Sequence, residues 1–119
     1  MTKEIEAALD AHARWKVRLK DAIRTKSADL DPSEVRKDDR CDFGKWLHGS
    51  GIPASVKSSP QYQAAVRLHA TFHTAAADVV AKVKAGQSQA AEDAMKVGGS
   101  FSRASADLSA ALSSWQGSM

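Results

Sequence analysis

The sequence predicts an all-α fold, a four-helix-bundle-like arrangement of three long helices plus a short helical segment carrying the only cysteine. Three observations carry this expectation. Apolar residues recur at three- and four-residue spacing over three long runs. Helix start and stop residues bracket those runs. The composition is rich in alanine, with only seven glycines and three prolines in 119 residues, which favours helices over strands and turns. No internal repeat, low-complexity tail or boundary divides residues 1–119, so a single domain is expected.

The first helix is expected over about Thr2 to Thr25. Ile5, Leu9, Trp15, Leu19 and Ile23 form its apolar stripe, widened by Ala8, Ala11 and Ala22. His12 lies three residues after Leu9 and three before Trp15, so it faces the core. The following stretch, Ser27 to Arg40, is polar and irregular. Within it Asp31-Pro32 reads as an N-cap and first helical residue, predicting a short turn through Val35. Lys37-Asp38-Asp39-Arg40 reads as a solvated connection.

Cys41 opens the segment Cys41-Asp42-Phe43-Gly44-Lys45-Trp46-Leu47-His48-Gly49. Phe43, Trp46 and Leu47 are spaced for one face of a short helix, which Gly49, Gly51 and Pro53 end. Ile52 to Ser59 reads as a loop or brief turn. The second long helix is bracketed by Ser59 as N-cap, Pro60 at the first position and Gly86 past the end. Its apolar face is Tyr62, Val66, His69, Phe72, His73, Ala76, Val79, Val80 and Val83. The third is expected from about Gln89 to Trp115, capped by Ser88, with Ala91, Met95, Phe101, Leu108, Leu112 and Trp115 as its stripe. Gly98-Gly99 in its middle fit either a kink or the close approach of another helix or an aromatic ring.

Chemistry concentrates in one cysteine and three of the four histidines. His69 and His73, four residues apart on a helix, lie one above the other on the same face. Both imidazoles can therefore reach one metal ion. His12 would add a third donor from a neighbouring helix, and Cys41 a fourth from the short segment. One thiolate and three imidazoles make a complete tetrahedral zinc set, and bundle cores commonly build metal sites from facing helices. Each residue also has a plainer reading: His12 as a hydrogen-bonded core histidine, the histidine pair as surface, Cys41 as an inert buried thiol. His48, beside Gly49, reads as a cap for helix carbonyls. Asp38, Asp39 and Asp42 are near enough in sequence to accept a ligand histidine's N–H.

Charge and composition exclude other classes. Seventeen basic and fourteen acidic residues give 17 − 14 = +3, interleaved along the chain without a basic block, so no nucleic-acid partner is expected. The N-terminus has acids where a signal peptide needs an apolar core. No run approaches the ~20 apolar residues of a membrane span. A cytoplasmic location, with no membrane partner, is expected. A lone cysteine makes no internal disulfide.

His12 with Trp15-Lys16, Cys41-Asp42-Phe43-Gly44-Lys45-Trp46-Leu47, and His69 with Phe72-His73 together resemble the chemoreceptor zinc-binding domain family over nearly the whole chain. The Cys-x-Phe-Gly-x-Trp core is the most specific part. The resemblance implies a helical bundle, usually a homodimer, with zinc held by His12, Cys41, His69 and His73. It also implies cytoplasmic regulation of attached chemoreceptors or diguanylate cyclases, in chemotaxis or cyclic-di-GMP signalling. Family members often carry an output domain, and none is apparent in these residues.

The expected function is thus a sensory module responding to zinc or to oxidation of the zinc-bound thiolate, without catalysis. The competing classes are a small enzyme, a haem or di-iron bundle and a phosphotransfer bundle. An enzyme needs an open metal position and a base, and no carboxylate lies between His69 and His73. A di-iron site needs several core carboxylates, and the second long helix offers only Asp78. A phosphotransfer histidine would be exposed. Two further expectations follow. Ile5, Leu112 and Trp115 exceed what one chain can cover, which predicts a homodimer. Phe43, Trp46 and Leu47 would anchor the cysteine segment against the bundle, but the polar stretch Lys37 to Arg40 and Gly49 and Gly51 bound it, so the stretch from about Arg40 to Ile52 should move first when the site opens.

Overall fold

Seven helices and no strand make up the described residues, 2–26 and 29–118, of a computed structural model of the chain. The first long run is α1 (Thr2–Thr25). Three short helices follow: α2 (Pro32–Val35), α3 (Asp42–His48) and α4 (Ala54–Lys57). The second long run is α5 (Pro60–Lys84). The third is divided into α6 (Ser88–Met95) and α7 (Ser100–Gly117). The expected bundle of long helices with a short helix beside the cysteine is therefore present.

Local chemistry sets these boundaries. The Asp31 carboxylate accepts the Ser33 N–H at 3.0 Å, and Pro32 follows at the first turn of α2. The Ser59 hydroxyl accepts the Tyr62 N–H at 3.2 Å, with Pro60 starting α5. Gly86, past its end, takes a φ of +78°. Ser88 is not a cap: the α6 N-cap is Gln87, with no side-chain bond to the helix. The glycine pair breaks the third run outright. Gly98 turns the chain at a φ of +84°, and a Cβ on Gly99 would run into the backbone carbonyls of Asp93 and Ala94. The close approach is thus made by the end of α6 itself, not by another helix or a ring.

α5 is the central element, packing against α1, α2, α6 and α7. Ala65, Ala75, Ala76 and Ala77 are small enough to let neighbours close in, while Phe72, Val79, Val80 and Val83 fill the core. α1 contributes Ile5, Ala8, Leu19 and Ile23, and α7 contributes Phe101, Leu108, Leu112 and Trp115. Ala11, expected on the α1 stripe, is exposed.

Two sequence expectations need correction. Ile5, Leu112 and Trp115 are 0%, 0% and 3% exposed within the single chain. The break at Gly98-Gly99 turns α7 back along α5, so one chain covers all three. The cysteine segment is also better anchored than its polar flanks indicate. Phe43, Leu47 and Ile52 are buried, and the Trp46 ring lies 5.7 Å from that of Trp115. The Tyr62 hydroxyl donates to the Leu47 carbonyl at 2.7 Å, and Lys57 Nζ to that of Gly49 at 2.7 Å.

Candidate metal centre

Three elements bring His12, Cys41, His69 and His73 together. His12 projects from the middle of α1, Cys41 is the N-cap of α3, and the other two histidines stand one turn apart on α5. One potential ligand atom from each lies within 4.8 Å of all the others. The separations are 3.4 Å from Cys41 Sγ to His69 Nε2, 3.6 Å from Cys41 Sγ to His73 Nε2, and 3.1 Å between the two Nε2 atoms. A tetrahedral zinc ion with bonds of about 2.3 Å to sulfur and about 2.0–2.1 Å to nitrogen sets its ligand atoms about 3.3–3.6 Å apart. The three measured edges are close to those of such a tetrahedron.

The polar atoms of the cluster point the same way. Both ring nitrogens of His12 and Nδ1 of His69 are buried without a hydrogen-bond partner. Such groups cost about 1–3 kcal/mol each when left unsatisfied, and a cation bonded to one His12 nitrogen would relieve part of that cost. His73 is oriented differently. Its Nδ1 donates to the Val35 carbonyl at 3.0 Å, which leaves the Nε2 lone pair facing Cys41 and His69. A second hydrogen bond fixing the tautomer of a metal-binding histidine is the usual arrangement. The acceptor is a main-chain carbonyl, not Asp38, Asp39 or Asp42. Asp38 and Asp39 pair instead with His48 and Arg40.

Local packing holds the donors still. The Phe43 ring stands edge-on to His69 at 5.1 Å and to His12 at 5.9 Å, and Phe72 lies 4.8 Å from His12. The Cys41 sulfur accepts the Gly44 N–H at 3.3 Å. Gly44 also lies so close to the Asp38 carbonyl that a Cβ there would overlap it. The loop from α2 to Cys41 thus folds directly onto α3. The fourth histidine, His48, is exposed and 3.5 Å from Asp38 Oδ2, so it neither joins the cluster nor caps helix carbonyls.

Electrostatics keep the imidazoles neutral. Burial lowers His69 to a pKa of about 2 and His12 to about 4, each helped by neighbouring histidines. Burial lowers His73 too, against the pull of the Val35 carbonyl and Asp38. The Cys41 thiol is pushed up by burial, opposed by the backbone N–H groups of the α3 start. Neutral imidazoles and an ionisable thiol are the donor states a metal ion requires. Among the described residues, no carboxylate belongs to the cluster.

Sequence reasoning named all four of these residues. It also expected Phe43 to anchor the segment against the bundle; it missed the Val35 carbonyl and the capping role of Cys41. The Cys-x-x-Gly spacing held a signal for the second, since a side chain at the N-cap receives the N–H three residues on.

The family model described as chemoreceptor zinc-binding domain matches residues 12–80, a span containing all four residues. Neither the search of curated proteins nor that of solved structures returns a match. The domain the family model describes is a zinc-binding one, typically found in chemoreceptors or other signalling proteins.

Proposed function

The chain belongs to the chemoreceptor zinc-binding domain family, and from that premise we propose that it is a cytoplasmic sensory module in which His12, Cys41, His69 and His73 hold one zinc ion. The observation that carries this ligand assignment is the convergence of four donor atoms within 4.8 Å. When bound, zinc would keep the Cys41 sulfur as a thiolate and tie α1, α3 and α5 to one point. The chain's own groups set up that state: the Val35 carbonyl turns His73 Nε2 inward, Phe43 and Phe72 hold the rings, and the Gly44 N–H supports the sulfur. Four protein donors leave no open position for a substrate, which supports a regulatory role and argues against catalysis.

The signal is zinc supply or oxidation of Cys41. An oxidant of the hypochlorous acid class takes two electrons from the thiolate sulfur, which gains the oxidant's hydroxyl as a sulfenic acid while chloride departs. The oxidised sulfur is a poorer donor, so zinc loss and oxidation lead to the same opened site. We assign the output to a chemoreceptor or diguanylate cyclase, in chemotaxis or cyclic-di-GMP signalling, and the assembled form to a homodimer, on the family's usual habit. No helix among the described residues is long and apolar enough to cross a membrane. We read residues 1–119 as one domain, since α7, beyond the matched span, packs along α5.

Elemental analysis of purified protein tests the assignment. One zinc per chain is expected, with affinity reduced by orders of magnitude in His12→Ala, Cys41→Ala, His69→Ala and His73→Ala and unchanged in His48→Ala. Loss of zinc in the His48 variant with retention in the His12 variant would overturn it.

A further inference from the structure

The three imidazoles of the cluster are buried, at 5%, 0% and 3% exposure for His12, His69 and His73, whereas Cys41 is only half-buried. Solvent therefore meets the cluster at the sulfur. Two clefts end there, and Arg40 and Cys41 line both. The larger, about 530 Å³, runs along the alanines of α1, and its charges balance, Glu4 and Asp42 against Arg14 and Arg40. The smaller, about 330 Å³, reaches both Cys41 and His73. Arg18, Lys37 and Arg40 line it with Glu34 as the one acid among the described residues, giving 3 − 1 = +2. That acid is engaged by Lys37 at 3.0 Å, and Arg40 lies 3.9 Å from Asp39, so the excess positive charge of the cleft rests chiefly on Arg18. The Arg18 guanidinium sits over the Trp15 ring, 4.1 Å from its centroid, and is thereby held at the cleft.

We propose that the smaller cleft is an anion-selective vestibule, through which small monoanionic reagents reach the Cys41 sulfur ahead of neutral reagents of the same size. A cleft lined by one sign of charge concentrates small ions of the opposite sign, and for an open cleft the gain is about tenfold, the low end of the range. The charge-balanced cleft gives no such preference. The vestibule rests on the reading of Cys41 as the reactive member of the site, and it determines which chemical class of electrophile the site samples.

Iodoacetate and iodoacetamide provide the test. They are nearly the same size and react alike, the sulfur forming a C–S bond as iodide leaves, but only iodoacetate is charged. Their rate ratio cancels the ionisation state of the thiol. The ratio is measured on the full chain, zinc-loaded and again after chelation, and referred to a short unstructured cysteine peptide. At low salt it is expected to exceed the peptide's by about tenfold, and to fall to the peptide's value in about 0.5 M salt, where screening is strong. Arg18→Gln/Lys37→Gln should remove most of the excess, Glu34→Gln should raise it, and Arg14→Gln should leave it. A ratio equal to the peptide's, with iodoacetamide reacting normally, overturns the vestibule and leaves Cys41 as a reactive ligand. An equal slowing of both reagents in Arg18→Gln/Lys37→Gln also overturns it, because it marks a collapsed cleft and not a lost charge. Failure of both reagents, with and without zinc, overturns the vestibule together with the reactivity of Cys41; zinc content by elemental analysis reports on the metal site separately.

Discussion

Burial holds His12 and His69 neutral far below the ordinary imidazole range, at about 4 and about 2 against 6.5. An unfolded chain would protonate both below pH 6.5, while the folded chain does not, so the unfolded state binds more protons there. Stability of the metal-free protein is therefore full above pH 6.5 and is lost as pH falls, by about 1.4 kcal/mol per pH unit for each such histidine. The contribution of His12 levels off below about pH 4. Thermal denaturation of chelated protein between pH 7 and 4.5 should show this slope, and His12→Ala should flatten it. The thiol behaves oppositely, since burial raises its pKa above the ordinary thiol range. At pH 7 the three imidazoles are already deprotonated and the thiol is not, so zinc binding should release about one proton. Calorimetry in two buffers of different ionisation enthalpy checks this, and release of two or more would mean that a histidine is charged in the free site. The four donors were legible in sequence because their chemistry is rare and their spacing helical. The Val35 carbonyl was not, because every residue carries a carbonyl and only the folded chain says which one faces a histidine.

Among the elements, α3 and the loop before it hold the cysteine by contacts that leave no room at Gly44. An added methyl would displace the Asp38 carbonyl and disturb the N–H that supports the sulfur. Gly44→Ala should therefore weaken zinc binding by about tenfold or more, the scale seen when groups supporting metal ligands are lost. Gly98→Ala makes a useful contrast. It places a Cβ at a φ of +84° in the turn between α6 and α7, neither of which carries a donor, and should cost roughly 1–2 kcal/mol of stability in chemical denaturation with zinc affinity unchanged. Equal zinc affinity in wild type and Gly44→Ala would dismiss the positioning role. Before the glycine pair, α2 and α5 were legible because caps and periodicity agreed, whereas the caps of α3 and α6 were not read correctly. The split of α6 from α7 was only half legible: the glycines announced an irregularity, but a kink and a full turn share one sequence signature until the packing of α7 on α5 selects the turn.

At the scale of the molecule, the chain exposes 6622 Å², against about 6,200 Å² for a monomer of this mass. That area is close to a monomer's, and Ile5, Leu112 and Trp115 are buried within the single chain, so the core is covered without a partner, contrary to the expectation drawn from them. A homodimer must then form on the outer helix faces, and light scattering at micromolar concentration should still report twice the chain mass; a monomer would remove this part of the proposal. The same covered core changes which piece of the molecule moves. Phe43, Leu47 and Ile52 are buried, and each such side chain contributes roughly 1.5–3 kcal/mol, so freeing all of residues 40–52 would cost about as much as unfolding a small domain. The loop from Arg36 to Arg40 has no such anchor, since its five residues are exposed or half-exposed. It is bounded by Val35, whose carbonyl holds His73, and by Cys41, whose sulfur faces the histidines. When Cys41 is oxidised or replaced by alanine, hydrogen exchange should rise over residues 36–45 while α1, α5, α7 and the Leu47 end of α3 stay protected. Opening of the whole stretch to Ile52 would show that the buried side chains of α3 are weaker anchors than their burial indicates. Uniform loss of protection in every helix would make zinc a structural staple, and no change anywhere would remove Cys41 from the site.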